Sequence, residues 1–427
     1  MSREAGFDVV VIGAGPAGIA CAYKLAREGK SVLVIERGMS AGSKNVTGGR
    51  LYTYALDMLE PGLWQEAVLE RKVTSEQIMI INGDRSLVVD YANPAFAAAG
   101  KTPQSYTVLR NLFDEWFASK AEAMGAFIAC GILVEDIIED NGRVVGVKAG
   151  QDEIYAGLVI AADGVNSFIA QRAGLSKDLE ADTVGIGVKE IIELPAGTIE
   201  ERFNLAQDEG AARMILGCTE GVHGGGFLYT NRDSISLGCV FIPRELAAHG
   251  RQIHDIFQDL KMQPAIHRLI AGGKTVEYSA HLVSEDGCRG IKAPLYKDGL
   301  LLIGDAAGFV LNTGYSIRGM DLAILSGIAA ANAVLSGKKA GPAYLEELQK
   351  VKLLPIMKAV QGYADVLNIP RIYNGYPQAV TDLLQHMYAV DGNIINNIRK
   401  ELKKILHANR ISPWQLVKDG IRGYRAI

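Results

Sequence analysis

The residues best placed to do chemistry in this chain are glycines and acids, not a nucleophile beside a base. Gly13, Gly15 and Gly18 form G-x-G-x-x-G directly after the uncharged, β-branched run Val9–Ile12. In that setting the first glycine permits a tight turn and the second lets backbone approach a pyrophosphate. The third lets a helix pack closely on its strand. Pro16 and Ala17 open that helix, predicted to run to about Glu28, and its N-terminal amides and positive dipole end face the anion. Ser31–Ile35 reads as a second strand. Glu36 closes it with a carboxylate that can accept from both ribose hydroxyls of an adenosine and repel a 2′-phosphate. Strand, turn, helix, strand and acid stand in the required order, which puts nucleotide binding ahead of a set of ordinary turns by roughly ten to one. The motif leaves NAD and FAD open; its start near the N-terminus favours a permanently held FAD.

Further candidates lie at other strand ends. The loop Arg37 to Arg50, RGMSAGSKNVTGGR, begins with Arg37 and carries two more cations, Lys44 and Arg50, that can face a flavin or its phosphates. Arg110 stands at the start of a helix predicted within Tyr106–Met124, whose Leu109, Leu112, Phe113, Trp116 and Phe117 recur at core-facing spacing. Asp163-Gly164 follows the buried strand Leu158–Ala162, and Gly304-Asp305 ends GLLLIGD, another buried run. Taken alone, an Asp-Gly after a strand is a turn signal. The small-residue helix expected from about Ile317 to Leu335 has Asn312-Thr313-Gly314 as its predicted N-terminal turn, with Thr313 and Gly314 offering amides to an anionic partner.

The elements that must hold these residues read as an α/β nucleotide-binding fold with a second lobe, since 427 residues exceed one ordinary domain. Phe127–Ile138 and Arg143–Ala149, split by Asn141-Gly142, predict a hairpin. Thr183–Glu193 and Gly224–Ile242 read as strands of a second sheet, with a helix over Gln252–Leu260, and Glu277–Val283 closes that region. The expected division is an FAD-binding domain over 1–75, 106–178 and 284–340, a substrate domain over 76–105 and 179–283, and a helical region over 341–427. A net charge of −4 without a long basic tract excludes nucleic acid as a partner. Five scattered cysteines without a C-x-x-C pair encode no zinc site, iron–sulfur cluster or dithiol, and suit a reducing cytoplasm. Leu322–Gly337, the longest run without charge, is too short and polar to span a bilayer.

Together the glycine fingerprint, Asp163-Gly164 and Gly304-Asp305 resemble flavoproteins of the para-hydroxybenzoate-hydroxylase type. That resemblance implies a doubly wound, Rossmann-like FAD domain, an antiparallel-sheet substrate domain and a helical C-terminal region. It also implies that Asp305 binds the ribityl chain, that the following helix points at the flavin N1/C2 edge, and that adenine lies near Val134. The segments SKNVTGGRLY, ADGVNS, GGGFLYTN, AGGKTVEYSAH and IRGMDLAI are similar to those of the FixC family, flavoproteins related to electron-transfer flavoprotein:quinone oxidoreductase. The resemblance covers almost the whole chain. It implies electrons arriving from the alpha and beta subunits of an electron-transfer flavoprotein and leaving to a quinone, with electron bifurcation as one setting. Gly224, Gly225, Phe227 and Tyr229 match the family's quinone contact, favoured over a plain sheet edge by about two to one. The longer quinone oxidoreductases carry a cysteine-rich C-terminal segment; no cysteine follows Cys288 here, so a separate small ferredoxin-like 4Fe–4S subunit is expected. No catalytic acid, base or metal is required, because the flavin carries the chemistry. The resemblance also implies peripheral contact with the inner face of the cell membrane, with Tyr91–Gly100 and Leu353–Ile369 as candidate segments. A geranylgeranyl-reductase-like or hydroxylase-like enzyme, and a docking subunit that relays electrons without a substrate pocket, remain rival readings.

Overall fold

The structure, a computed structural model, describes residues 6–43, 49–97, 105–176, 184–284, 287–392 and 397–426. Strand Phe7–Ile12 lies inside a mostly parallel sheet, with Val9, Val10 and Val11 fully buried because both faces are covered. Val32–Glu36 and then Phe127–Cys130 lie on one side of it, and Asp152–Ala161 and Leu300–Leu302 on the other, with Tyr296–Lys297 antiparallel at that edge. The chain leaves the first strand in both directions, which makes its C-terminal end the switch point where such sheets bind ligands. Register settles the level: Ile12 is opposite both Ile35 and Ala161, and Ala161 is opposite Leu302. The loops after all three strands therefore leave the sheet side by side.

Helices Pro16–Arg27 and Met320–Leu335 pack against each other at very short range. A Cβ at Gly327 would fall 2.3 Å from the Ala17 carbonyl oxygen; Gly18 instead lets the first helix close on its own strand and turn, a Cβ there falling 2.1 Å from the Gly13 carbonyl oxygen. The second helix begins later than the sequence suggests. Leu311–Asn312 pairs with Ile317–Arg318, and the helix starts at Met320 after Gly319. Thr313 and Gly314 are thus in the turn of a two-stranded ribbon: Thr313 donates its N–H and hydroxyl to the Ser316 carbonyl, at 3.0 and 3.1 Å. The expected arm Phe127–Ile138 is likewise two elements. Gly131, at φ +75°, breaks it, so Phe127–Cys130 joins the parallel sheet and only Asp136–Asp140 pairs with Arg143–Ala149.

Among the described residues the second sheet has nine strands, in the order Lys274–Ser284, Val184–Glu193, Ser234–Phe241, Gly224–Thr230, Glu209–Leu216, Lys72–Asn82, Tyr106–Val108 and Gly49–Leu51, with Arg85–Ala92 also on Lys72–Asn82. All pairs are antiparallel except Glu209–Leu216 with Lys72–Asn82, which run parallel. Alternation divides its faces. Leu228, Leu237, Cys239 and Phe241 pack with Ile256 and Phe257 under a helical layer. The other face carries Phe227, Tyr229, Val240 and His281 toward the parallel sheet's loops. The remainder is helical, from Ala340–Lys350 to Pro413–Ala426. No helix among the described residues is long and apolar enough to cross a membrane.

A side chain at Gly327 must push the two helices apart. Gly327→Val should cost on the order of 2–4 kcal/mol in urea unfolding, whereas Gly197→Ala, where a Cβ meets nothing within 4 Å, should shift it by less than about 1 kcal/mol.

Candidate functional site

A cavity of about 360 Å³ runs along the ends of the three parallel strands and is closed by the second sheet. At its nucleotide end Gly13, at φ +103°, makes the turn; a Cβ there would fall 2.4 Å from the Ala162 carbonyl oxygen, so only glycine lets these two strand ends meet. Gly15 differs. A Cβ on it would meet only the Arg110 Nη2, at 4.0 Å, so no contact within the protein demands a glycine. The free space lies against the first turn of helix Pro16–Arg27, which has no acidic residue and no side-chain cap. The first-turn amides of a helix have no intrahelical partner and are suited to an anion.

Arg110 faces this space, held by a bidentate pair with the fully buried Asp114 (Nε–Oδ1 2.9 Å, Nη2–Oδ2 2.6 Å). Glu36 accepts from the Ala14 amide (2.9 Å) and the Gly38 amide (2.6 Å), which fixes its carboxylate at the strand end and leaves further lone pairs for ribose hydroxyls. Pro16, Ala17, Arg37 and Val134 also line the cavity. Asp163 and Gly164 line it too, but the Asp163 carboxylate is engaged in its own loop. It accepts from the Ser167 hydroxyl and the Ile169 amide, both at 3.1 Å, and caps the short helix Phe168–Arg172.

Gly304 and Asp305 arrive from the end of Leu300–Leu302. Burial pushes the Asp305 carboxyl above its ordinary range, against the opposing charges of Arg110 and His281. None of the described residues donates a hydrogen bond to that carboxylate, so an acceptor stands in the cavity without its donors. Ribityl hydroxyls are donors of the right kind. Arg50 lines the cavity with its charge already answered: Nη1 donates to Glu76 (2.9 Å), Nε to Ser105 (2.8 Å), and the guanidinium lies 4.8 Å from the Tyr52 ring centroid. Lys44 lies outside the described residues. Gly18 serves helix packing, and Thr313 and Gly314 are not part of the lining.

On the sheet face opposite, Phe227 and Tyr229 stack at 5.4 Å between centroids and line the cavity. Gly224 and Gly225 do not; a Cβ at Gly224 would fall 2.0 Å from the Val240 carbonyl oxygen, so this glycine serves strand pairing. Burial holds the Tyr229 phenol well above its usual range, so it stays a protonated donor. Sequence reading passed over Lys189. Register places it in one row with Gly238, Phe227 and Ser279, on the cavity face. The row is tight, since a Cβ at Gly238 would fall 2.4 Å from the Phe227 Cζ. The Lys189 amine and the Ser279 hydroxyl are both buried without a hydrogen-bond partner among the described residues. Burial lowers the Lys189 pKa from 10.5 to about 7, with Glu277 opposing and Arg110 reinforcing that shift. The alternation of VGIGVKEIIE contains the signal, but only cross-strand register shows what Lys189 sits beside.

Comparison with known proteins agrees with this geometry. Residues 6–324 match the FAD binding domain model FAD_binding_3, and residues 365–427 match the ETF-QO/FixC family C-terminal domain. Protein FixC of Salmonella typhi and Protein FixC of Escherichia coli are each 42% identical over 98% of both chains. The chain belongs to the ETF-QO/FixC family. A probable electron transfer flavoprotein-quinone oxidoreductase of Escherichia coli, YdiS, is 40% identical over 99% of both chains. Among solved structures, a geranylgeranyl bacteriochlorophyll reductase-like protein of Thermoplasma acidophilum superposes with a TM-score of 0.64 at 20% identity, over 93% of this chain and 99% of that one. The flavin-dependent brominase Bmp2 also reaches 0.64, at 18% identity over 98% and 99%. These two share the fold. FAD is the cofactor, and the protein is an FAD-dependent electron-transfer oxidoreductase of the electron-transfer flavoprotein:quinone oxidoreductase type.

Gly15→Arg, which fills the space against the first helical turn, and Glu36→Lys, which reverses the charge at the strand end, should each purify colourless. Asp305→Ala should retain flavin more weakly than wild type but better than either, read as flavin absorbance per protein. Lys189 gives a pH signature. Its folded pKa lies below its unfolded one, so an uncompensated buried charge opposes folding in full below about pH 7, and that penalty fades as pH rises toward 10.5. Lys189→Met should therefore stabilise the FAD-loaded protein, on the order of a few kcal/mol below pH 7 and much less near pH 10.5, as followed by urea unfolding.

Proposed function

We propose that this flavoprotein takes electrons from the alpha and beta subunits of an electron-transfer flavoprotein and delivers them to a quinone held against Phe227 and Tyr229. The observation that carries this is the aromatic pair, stacked 5.4 Å apart on the sheet face that closes the FAD cavity. An aromatic wall suits a flat ring, and the Tyr229 hydroxyl, protonated and bonded to no described group, is a donor for a ring carbonyl.

When bound, FAD supplies the two-electron chemistry. The chain's residues do the rest. The Pro16–Arg27 helix and Arg110 hold the phosphates, Glu36 orients the ribose, and Asp305 accepts from the ribityl chain. No described cluster of three or more His, Cys, Asp or Glu could hold a metal, and no cysteine follows Cys288. A small ferredoxin-like 4Fe–4S subunit is accordingly part of the proposal, as is a role for the chain as the high-potential branch of an electron-bifurcating complex. So is peripheral attachment to the inner face of the cell membrane, where the quinone resides. Of the two candidate membrane segments, 353–369 buries Leu353, Met357 and Ile369 in the molecule, while Tyr91 is exposed on the edge strand Arg85–Ala92 and residues 98–100 lie outside the described residues.

The test is reduction of a short-chain quinone by the purified, prereduced protein, alone and with its electron-transfer flavoprotein. Phe227→Ala and Tyr229→Phe should raise the quinone KM by about tenfold and threefold, consistent with losing an aromatic contact and one hydrogen bond, with flavin content unchanged. Wild-type protein that reoxidises with no quinone would overturn the reading.

A further inference from the structure

Among the described residues, helix Pro413–Ala426 buries one face, at Asp419 and Ala426. Asp419 accepts two hydrogen bonds from Arg371 (2.7 and 2.8 Å) and one from the Tyr376 hydroxyl (2.6 Å). Ala426 is buried against Gly362, whose Cβ, if present, would fall 2.7 Å from the Ala426 Cα. At about 100° per residue, Asp419 and Ala426 mark the inner side of the helix. Trp414, Val417, Ile421 and Tyr424 recur at spacings of three, four and three on the opposite side. They are 75%, 51%, 48% and 84% exposed. An apolar stripe of this period on a globular helix faces a core; this one faces solvent.

Charge accompanies it. Lys418, Arg422 and Arg425 follow three of the four apolar positions by one residue and so run along one edge of the stripe. Residues 397–426 hold eight Lys and Arg against Glu401 and Asp419, a net of +6 in a chain whose total is −4. The helix is about 21 Å long, and one such stripe offers far fewer side chains than the roughly 20–30 per side of a standard protein interface. Aromatic residues at both ends, aliphatic ones between and cations at the edge are what an interfacial helix needs in order to sink into the headgroup layer of an anionic bilayer.

We propose that helix Pro413–Ala426 is the membrane anchor of this protein, lying in the plane of an anionic bilayer with Trp414, Val417, Ile421 and Tyr424 among the acyl chain ends and Lys418, Arg422 and Arg425 at the phosphates. The inference rests on the reading that electrons leave at a membrane quinone, and it assigns the surface that meets the lipid.

The experiment uses the full-length, FAD-loaded protein with extruded vesicles of phosphatidylcholine alone or mixed equally with phosphatidylglycerol. Flotation should retain wild type on the anionic vesicles and at least tenfold less on the neutral ones. Lys418→Glu/Arg422→Glu and Val417→Ser/Ile421→Ser should each weaken retention at least tenfold. Brominated lipid should quench the tryptophan emission of wild type but not of Trp414→Phe, in which Trp64 and Trp116 remain. Retention that is equal in all variants, or emission that bromine leaves untouched, overturns the proposal. So does a concentration-dependent dimer that the Val417→Ser/Ile421→Ser variant dissolves, which would give the face to a second copy. Short-chain quinone reduction in free solution, measured on the same samples, separates the two readings. It should be equal in wild type and variants, and its absence from wild type alongside intact vesicle binding would sink the quinone function and leave the anchor standing.

Discussion

Everything at the site depends on hydrogen-bond register in the parallel sheet. Ile12, Ala161 and Leu302 end their strands at one level, with Ile35 beside Ile12 one residue before the end of its own, and this alignment delivers the glycine turn, Glu36, Asp163 and Asp305 to one cavity. A slip by one residue on any strand would turn its side chains to the other face and withdraw one contact from the set. The backbone ladder therefore does for the cofactor what a cluster of side chains does in a metal site. The glycines permit this, because the Gly13–Ala162 approach leaves no room for a side chain.

Charge is managed around that frame with few exceptions. Arg50 is matched to Glu76, Arg110 to Asp114, and the fully buried Arg71 to Glu200 and to backbone carbonyls of Asn231 and Arg232. Each pairing fixes a guanidinium that would otherwise carry a desolvation cost. Among the described residues Asp305, Lys189 and Lys292 are departures: a half-buried carboxylate without a hydrogen-bond donor, and two amines buried without a hydrogen-bond acceptor. Asp305 lines the cavity and Lys189 lies on the sheet face turned toward it.

The local part of this design is legible in the sequence. The fingerprint, the helix after it, Glu36 and the two Asp-Gly and Gly-Asp strand ends obey short-range rules, and the structure puts them in one cavity. What sequence reading missed is non-local. Thr313 and Gly314 look like a helix start because the small-residue run follows closely, but Leu311–Asn312 finds a partner in Ile317–Arg318 and the helix waits until Met320. Glu209–Leu216, parallel to Lys72–Asn82, carries no signal that it must reach a strand so distant in the chain. Lys189 reads as one polar residue in an apolar strand, and only its cross-strand neighbours reveal that it is a buried amine beside an aromatic wall.

The near-contact of Gly327 with Ala17 joins positions 310 residues apart. The helix that follows the glycine turn leans on one that the ribosome makes much later, and between them the strand's other neighbour, Asp152–Ala161, also has to be made. At translation speeds of about 5–20 residues per second, a nascent chain spends roughly 15–60 seconds with its nucleotide motif synthesised but unsupported. Cofactor capture in this protein is thus an event of late synthesis, and the exposed Val9–Ile12 segment is what the cell must shelter until then.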